Sequence, residues 1–562
     1  MSTGSVQAVR TGDDSAGKSR HFRVSFRTGL IGGSIVLAMI QANATKFAIA
    51  PDGISYLDLG AALTRGDWPK AISSYWGPVY PWLLGICVAV FHAQGLQQFA
   101  VAHALNVLFF ALTLLVFDRI WTKVLANIVA SDESKLLRSS VLYLGYAAFS
   151  CSFVPMVGLV TPDLLLSAVI LSIGFCFWKW IATEEQRWLL AAGVLLGTGY
   201  LIKSIMLPVG LVTLFATFIL MLVRSRNIRP LLLATSIFLL ISSPLVICLS
   251  ARAKRLTIGD AGRLNYAWFV SNPSVGDSFL EQRAFFPLGS VISDEPRVFA
   301  IPTQAHVTFL PWFDPGLLTK NVKAKFHFRN QVKRLSLGLL DYRNFVLLSG
   351  YEFLLIAILI LAWMGKPSQA YSDFILFLPI WFFAAGALSA YGLVLVEPRY
   401  INAFWCLSIA SALAISLRNL NAKHRIAGRV MFVAAVLFTF QALPGLRHSL
   451  INSGDVAYPV QARVAAALRA NGLSNGDKVA VIDWPYYQAP WAKLVNASIS
   501  AYVPTAEIPY VCRNHEVPSA DFLDTVKFTG ARWIITSADI RGCDEGWWNP
   551  VPATAYHFKK IE

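Results

Sequence analysis

Apolar runs separated by short polar stretches fill the chain up to about residue 450, and a mixed pattern follows. The runs fall at about 29–50, 97–117, 138–157, 164–182, 188–202, 205–223, 230–250, 346–364, 372–395, 400–417 and 428–445. Most approach the ~20 residues needed to cross a hydrocarbon core about 30 Å thick, so about eleven membrane spans are predicted. Two longer stretches break the rhythm. Residues 51–96 hold the apolar piece VYPWLLGICVAVF, too short for a full crossing, and 251–345 are largely polar. Beyond 450, QARVAAALRANGL reads as an amphipathic helix, SNGDK as a turn and VAVID as a buried strand. Farther on, DFLDTVKF reads as a helix and ARWIITSA as a second strand. The predicted organisation is a basic tail over 1–28, a transmembrane domain over 29–450 and a small α/β domain over 451–562. Interfacial helices are expected within 51–96.

Composition agrees with the pattern. The 562 residues are 56% hydrophobic and 14% charged, with a mean hydropathy of +0.54, against roughly 25% charged residues in soluble proteins. The chain reads as an α-helical polytopic membrane protein. A net charge of +16 raises the question of nucleic acid, but the basic residues sit in short loops between spans and report topology instead. A basic tail (Lys18, Arg20, Arg23, Arg27) runs into the first span without a small-residue cleavage pattern, as in a signal anchor. With that tail cytoplasmic, the basic loops 118–137 (Arg119, Lys123, Lys135), RSRNIR and RNLNAKHRIAGR are also cytoplasmic, provided 78–96 does not cross. The C-terminal domain then lies outside. Five cysteines (87, 151, 176, 248, 406) lie in apolar runs, whereas Cys512 and Cys543 lie in the polar region and are able to pair in an oxidising compartment.

The same alternation gathers polar residues at one face. Asp52 follows the first span, Asp163 opens another in LVTPDLLL, Lys203 lies between two apolar runs in GYLIKSIM, and VLVEPRYINAFW holds Glu397, Arg399 and Tyr400. Charged groups at membrane depth are costly unless paired, hydrated or functional. Each residue also has a plainer reading: Asp52 and Asp163 as helix caps, Lys203 as a snorkelling side chain, and Glu397 with Arg399 as a mutual pair. Together they suggest a cavity for an anionic substrate attached to something apolar.

These residues come in a particular order: Asp52, Tyr56 with LDLGAAL, WGPVYPWLLG, TPDLLLSAVILS, GTGYLIKSIMLPV and EPRYINAFW. In that order the chain resembles the GT-C-type integral membrane glycosyltransferases, in the branch of protein O-mannosyltransferases and lipid-A aminoarabinose transferases. The resemblance covers most of the chain and is strongest over 50–210. It implies transfer of a sugar from a polyprenyl-phosphate donor to a lipid, glycan or protein acceptor, on the extracytoplasmic face of a bacterial cytoplasmic membrane. It also implies Asp52 as catalytic base, Asp163 as an acceptor-positioning or metal-proximal group, and Lys203 and Arg399 as ligands of the carrier phosphate. Tyr56, Glu397 and Tyr400 would line the cavity. One departure is that SSYWGPVYP carries no charge where several relatives have an acidic residue or Lys.

The implied chemistry is coherent. A polyprenyl phosphate is already a good leaving group, so the two carboxylates of glycoside hydrolases are unnecessary. One base for the acceptor hydroxyl is enough, at ~10²–10⁴-fold, while cations meet the phosphate charge; displacement would be inverting. Lys254 and Arg255 could add phosphate contacts or simply end their helix. The nine His residues show no ligand spacing, so no resident metal is expected, with a divalent cation between Asp52 and Asp163 left open. Two other classes fit in part. A lipid-linked glycan ligase or polymerase would need extra cations for a diphosphate carrier, for which Lys254, Arg255, Arg263, Arg283 and Arg297 are candidates. A secondary transporter would show paired halves and broken helices near the midplane.

Overall fold

The computed structural model describes residues 14–272, 289–316, 323–420, 423–452, 457–512, 517–538, 540 and 543–561; Arg283 lies outside them. The first helix, α1 (Asp14–Thr45), starts within the expected tail and runs through the first span. The chain then breaks before Pro51, which lacks an amide hydrogen and opens α2 (Pro51–Thr64). Apolar α3 (Val79–Val90) spans only 12 residues. Gly60 of α2 and Gly85 of α3 let the two helices touch: a Cβ on Gly60 would lie 2.8 Å from the Gly85 Cα. Residues 51–96 thus form a packed helical pair against the bundle.

The spans follow as α4 (Gln97–Leu125), α5 (Lys135–Val157), α6 (Asp163–Thr183), α7 (Gln186–Ile202), α8 (Met206–Val223) and α9 (Arg229–Ala253). The last part of the segment expected as polar loop is itself a helix, α10 (Phe328–Leu348), and after it come α11 (Tyr351–Met364), α12 (Pro367–Leu376), α13 (Leu378–Gly392), α14 (Pro398–Arg418) and α15 (His424–Asn452). Among the described residues eight helices are long and apolar enough to cross a membrane, and up to ten if each bent pair counts as one span. The pairs are α10–α11, bent by 87°, and the α12–α13 region, bent by 70°. Of the eleven expected spans, 188–202 falls in α7, which has 17 residues. Side chains such as Phe215, Leu240, Leu359 and Phe440 stand exposed on the outer faces of these helices. Water would cover such a belt only at a cost, whereas lipid covers it freely. The protein is integral to a membrane.

The segment expected as a polar loop over 251–345 does more than connect. It contributes β1 (Ser290–Asp294) and β2 (Arg297–Ala300) to a seven-stranded sheet otherwise built from the C-terminal region. That region supplies α16 (Ala457–Ala470), β3 (Lys478–Ile482), α17 (Pro485–Val495), β4 (Ser498–Val503), α18 (Ala520–Phe528), β5 (Trp533–Thr536), β6 (Asn549–Pro550) and β7 (His557–Lys560). The order is β1-β2-β4-β3-β5-β7-β6. The buried, near-continuous apolar strands β3, β4 and β5 pair in parallel, as expected of strands covered on both faces. Strand β2 adds antiparallel to β4, with Phe299 opposite Tyr502. Sequence periodicity placed β3 and β5 but missed β2, because its partner lies far along the chain. Cys512 and Cys543 form a disulfide in this unit.

Candidate active site

Four helix ends converge at one end of the bundle. The N-cap of α2 is Ala50, so Asp52, the second residue of the helix, is not itself the capping residue. Its Oδ1 instead accepts from Trp312 Nε1 at 2.9 Å and from the Tyr486 hydroxyl at 3.3 Å. Its Oδ2 faces Arg399, with Nη1 at 3.4 Å and Nη2 at 3.5 Å. Asp163, the first residue of α6, follows the N-cap Pro162, so it too is not the capping residue, and it is buried. Lys203 Nζ reaches Asp163 Oδ1 at 2.8 Å, and Arg399 Nη1 lies 3.9 Å from Asp163 Oδ2. Capping therefore does not account for either aspartate.

Lys203 occupies the break between α7 and α8. It does not snorkel: its Nζ lies 3.5 Å from the Tyr400 ring centroid as well as against Asp163. The uncharged WGPVYP stretch explains how this segment is held. Gly77 packs on the Ile202 carbonyl just before Lys203, where any Cβ would collide. Arg399, near the start of α14, donates to the Tyr400 hydroxyl at 3.1 Å and bridges the two aspartates rather than pairing only with Glu397. Burial pushes the Glu397 carboxyl above its usual range, partly offset by Arg399.

Two cavities meet here. One, of about 490 Å³, is lined by Tyr56, Asp163, Lys203 and Tyr400 and by a wall of aromatic rings. The other, of about 790 Å³, runs between the ends of α1 and α5, the start of α14 and Tyr487. Asp52, Glu397, Arg399 and Tyr486 line both. All seven residues singled out in the sequence thus stand around the first cavity. Lys254 and Arg255 do not: Lys254 ends α9 with a left-handed backbone, and Arg255 pairs with Asp260.

The electrostatics are those of a balanced but loosely closed cluster. Asp52 and Asp163 face Lys203 and Arg399, which offsets the desolvation of each charge. Yet the Arg399 contacts to the aspartates, at 3.4, 3.5 and 3.9 Å, are longer than the 2.7–2.9 Å of a strong charge-assisted bond. A guanidinium held this way retains donors for an incoming anion. A cation between Asp52 and Asp163 would have to displace Arg399, and among the described residues no three His, Cys, Asp or Glu side chains gather as a metal site.

Two residues of this site escaped sequence reasoning. Trp312 comes from the LPWF turn of the 251–345 segment, and Tyr486 from DWPYY in the C-terminal domain. Their rings meet edge to face, with centroids 5.0 Å apart. Burial, together with the nearby Asp52 carboxylate, pushes the Tyr486 phenol well above its ordinary range, so the hydroxyl remains a donor. Clusters of Trp, Tyr and Pro in otherwise polar segments were the available signal.

No family model and no curated protein matches the chain. Solved structures do resemble it. ArnT from Cupriavidus metallidurans bound to undecaprenyl phosphate is 13% identical with a TM-score of 0.47, covering 94% of this chain and 97% of that one. The archaeal oligosaccharyltransferase AglB from Archaeoglobus fulgidus, in complex with an inhibitory peptide and a dolichol-phosphate, is 12% identical with a TM-score of 0.48. It covers 92% of this chain and 70% of that one.

Proposed function

We propose that this protein is a membrane glycosyltransferase that moves a sugar from a polyprenyl-phosphate donor to a hydroxyl of a lipid, glycan or protein acceptor. The observation that carries the reading is the position of Asp52 and Arg399 where two cavities meet, with Lys203 and Asp163 on the wall of the first. A two-substrate transfer needs such a meeting point, with a base on one side and cations on the other.

In this reading the acceptor oxygen attacks the sugar C1 while its proton passes to the Asp52 carboxylate. The C1–O bond breaks, its electron pair leaves on the polyprenyl phosphate, and the configuration at C1 inverts. Arg399 contributes a planar fork of donors to that phosphate and Lys203 a compact charge. Asp163 holds Lys203 in place and helps to position the acceptor. The aromatic wall of Tyr56, Tyr75, Trp76 and Trp268 offers faces for a sugar ring. The reading places the site on the extracytoplasmic side of a bacterial cytoplasmic membrane, with the N-terminus cytoplasmic, a topology that the basic loops support.

Monophosphate carriers suit the site better than diphosphate ones. The further cation on the cavity wall, Arg263, is held by Asp260 at 3.2 Å, which disfavours a ligase using a diphosphate-linked glycan. A transporter is disfavoured because the charges gather at one end of the bundle. The test uses membranes expressing the protein, supplied with radiolabelled undecaprenyl-phosphate hexoses and pentoses, with glycolipids and glycans profiled by mass spectrometry. A glycosylated product is expected with the wild type and is expected to vanish in Asp52→Asn, while the variant still inserts. Near-normal transfer by Asp52→Asn would refute the base assignment, and solute movement without any glycosyl product would refute the reaction class.

A further inference from the structure

One helix of the C-terminal domain enters the site, and its geometry is constrained at both ends. Strand β3 ends at Ile482, and the next residue, Asp483, has φ +143°, a backbone region open to glycine and rarely adopted by other residues. A dense set of bonds holds it there. The Asp483 amide donates to the Val503 carbonyl at 3.1 Å, and its Oδ1 accepts from the Trp484 amide at 2.6 Å. Its Oδ2 accepts from Gln488 Nε2 at 3.2 Å and from the Ser537 hydroxyl. Gln488 is fully buried and accepts in turn from Trp491 Nε1 at 2.8 Å. From this turn α17 begins, and Tyr486 points at Asp52.

Farther along α17, Lys493 Nζ lies 2.7 Å from Asp58 Oδ1 on α2, the helix that carries Asp52. Asp58 is buried and also accepts from the Thr308 amide at 2.9 Å. Helices α2 and α17 are therefore tied at two points, Tyr486 to Asp52 and Lys493 to Asp58. With Tyr486 and Trp312 both on Oδ1, the carboxylate cannot turn freely, and Oδ2 stays on the side of Arg399.

We propose that the C-terminal α/β domain is a working part of the active site, in which Asp483 and Lys493 are positioning residues that hold Tyr486 against Asp52. The strained turn aims the phenol, the ion pair fixes the helix behind it, and the fixed carboxylate presents one oxygen to the acceptor hydroxyl. This role rests on the transfer reaction above. It makes the soluble domain part of the catalytic geometry as well as a cover over the bundle.

The test combines kinetics with a substrate-free measurement. In membranes that turn over an undecaprenyl-phosphate hexose, Tyr486→Phe is expected to lower kcat about ten-fold or more, the worth of a hydrogen bond to a charged group, with the donor KM unchanged. Asp483→Ala, or Asp483→Asn where the alanine variant does not fold, should lower kcat similarly. Combined with Tyr486→Phe it should cost nothing further, because it acts through that residue. A multiplicative loss in the double variant would overturn the positioning role, and a normal kcat in Tyr486→Phe would overturn the part played by the phenol. Separately, dicyclohexylcarbodiimide labelling of Asp52, read by peptide mass spectrometry, should rise several-fold in Tyr486→Ala and Asp483→Ala while labelling of Asp163 stays constant. Unchanged Asp52 labelling overturns the proposal whatever the reaction is. Increased labelling without any transfer by the wild type supports the positioning and refutes the reaction.

Discussion

The buried ion pair between Lys493 and Asp58 allows a worked prediction. Lys493 retains 10% and Asp58 2% of their side-chain exposure, so neither charge has water to fall back on. Replacing Lys493 with Met keeps most of the side-chain volume but leaves the Asp58 carboxylate with hydrogen bonds from Thr308 alone. Breaking a buried pair by removing one partner costs about 3–5 kcal/mol, because a charge is left uncompensated. Replacing both partners, as Asp58→Asn with Lys493→Met, removes that charge and should recover most of the loss. The assay is thermal unfolding of the detergent-solubilised protein followed by tryptophan fluorescence, with limited proteolysis to report release of the C-terminal domain. Lys493→Met is expected to lower the midpoint clearly and expose the domain to protease, and the double variant to return close to wild type. Equal destabilisation of single and double variants would refute this account and show that packing, rather than charge, ties α17 to α2.

Other outcomes follow from the same geometry. Arg399→Lys is expected to lose most transfer activity despite keeping the charge, because a point charge cannot bridge Asp52 and Asp163 while offering a fork to phosphate; kinetics against Arg399→Ala would show whether the lysine rescues anything. Lys203→Ala should raise the donor KM, read from initial rates at varied carrier concentration. Gly77→Val should reduce folded yield on size-exclusion chromatography, since its side chain would strike the Ile202 backbone. Reducing the Cys512–Cys543 bridge, which spans 31 residues, should destabilise the C-terminal unit by about 3–4 kcal/mol from loop entropy, seen as a lower unfolding midpoint in dithiothreitol.

Much of the architecture was legible because a membrane enforces long apolar runs. The runs and the charged residues at their ends were enough to bring Asp52, Asp163, Lys203 and Arg399 to one face. What the pattern could not show was contact between distant segments. Trp312 and Tyr486 lie 260 and 434 positions from Asp52, and no periodicity links a tryptophan in a short buried turn to an aspartate after a span. The same blindness hid β2, whose alternation is too short to signal a strand without its partner. It also left the role of LDLGAAL open. Its aspartate, Asp58, turned out to hold a lysine of the soluble domain, while its glycine, Gly60, admits α3.

The pairing of β2 with β4 has a consequence for biosynthesis. About 200 residues separate Ala300 from its partner strand β4, which begins at Ser498. At roughly 5–20 residues per second of synthesis, the β1–β2 hairpin waits about 10–40 s while helices α10–α17 and strand β3 are made. Throughout that interval it presents an unpaired edge. A chain stalled or truncated before Ser498 would keep that edge permanently open, and such edges recruit other chains. Closure of this sheet is therefore decided late, when β4 arrives near the end of the chain to pair with a hairpin made near its middle.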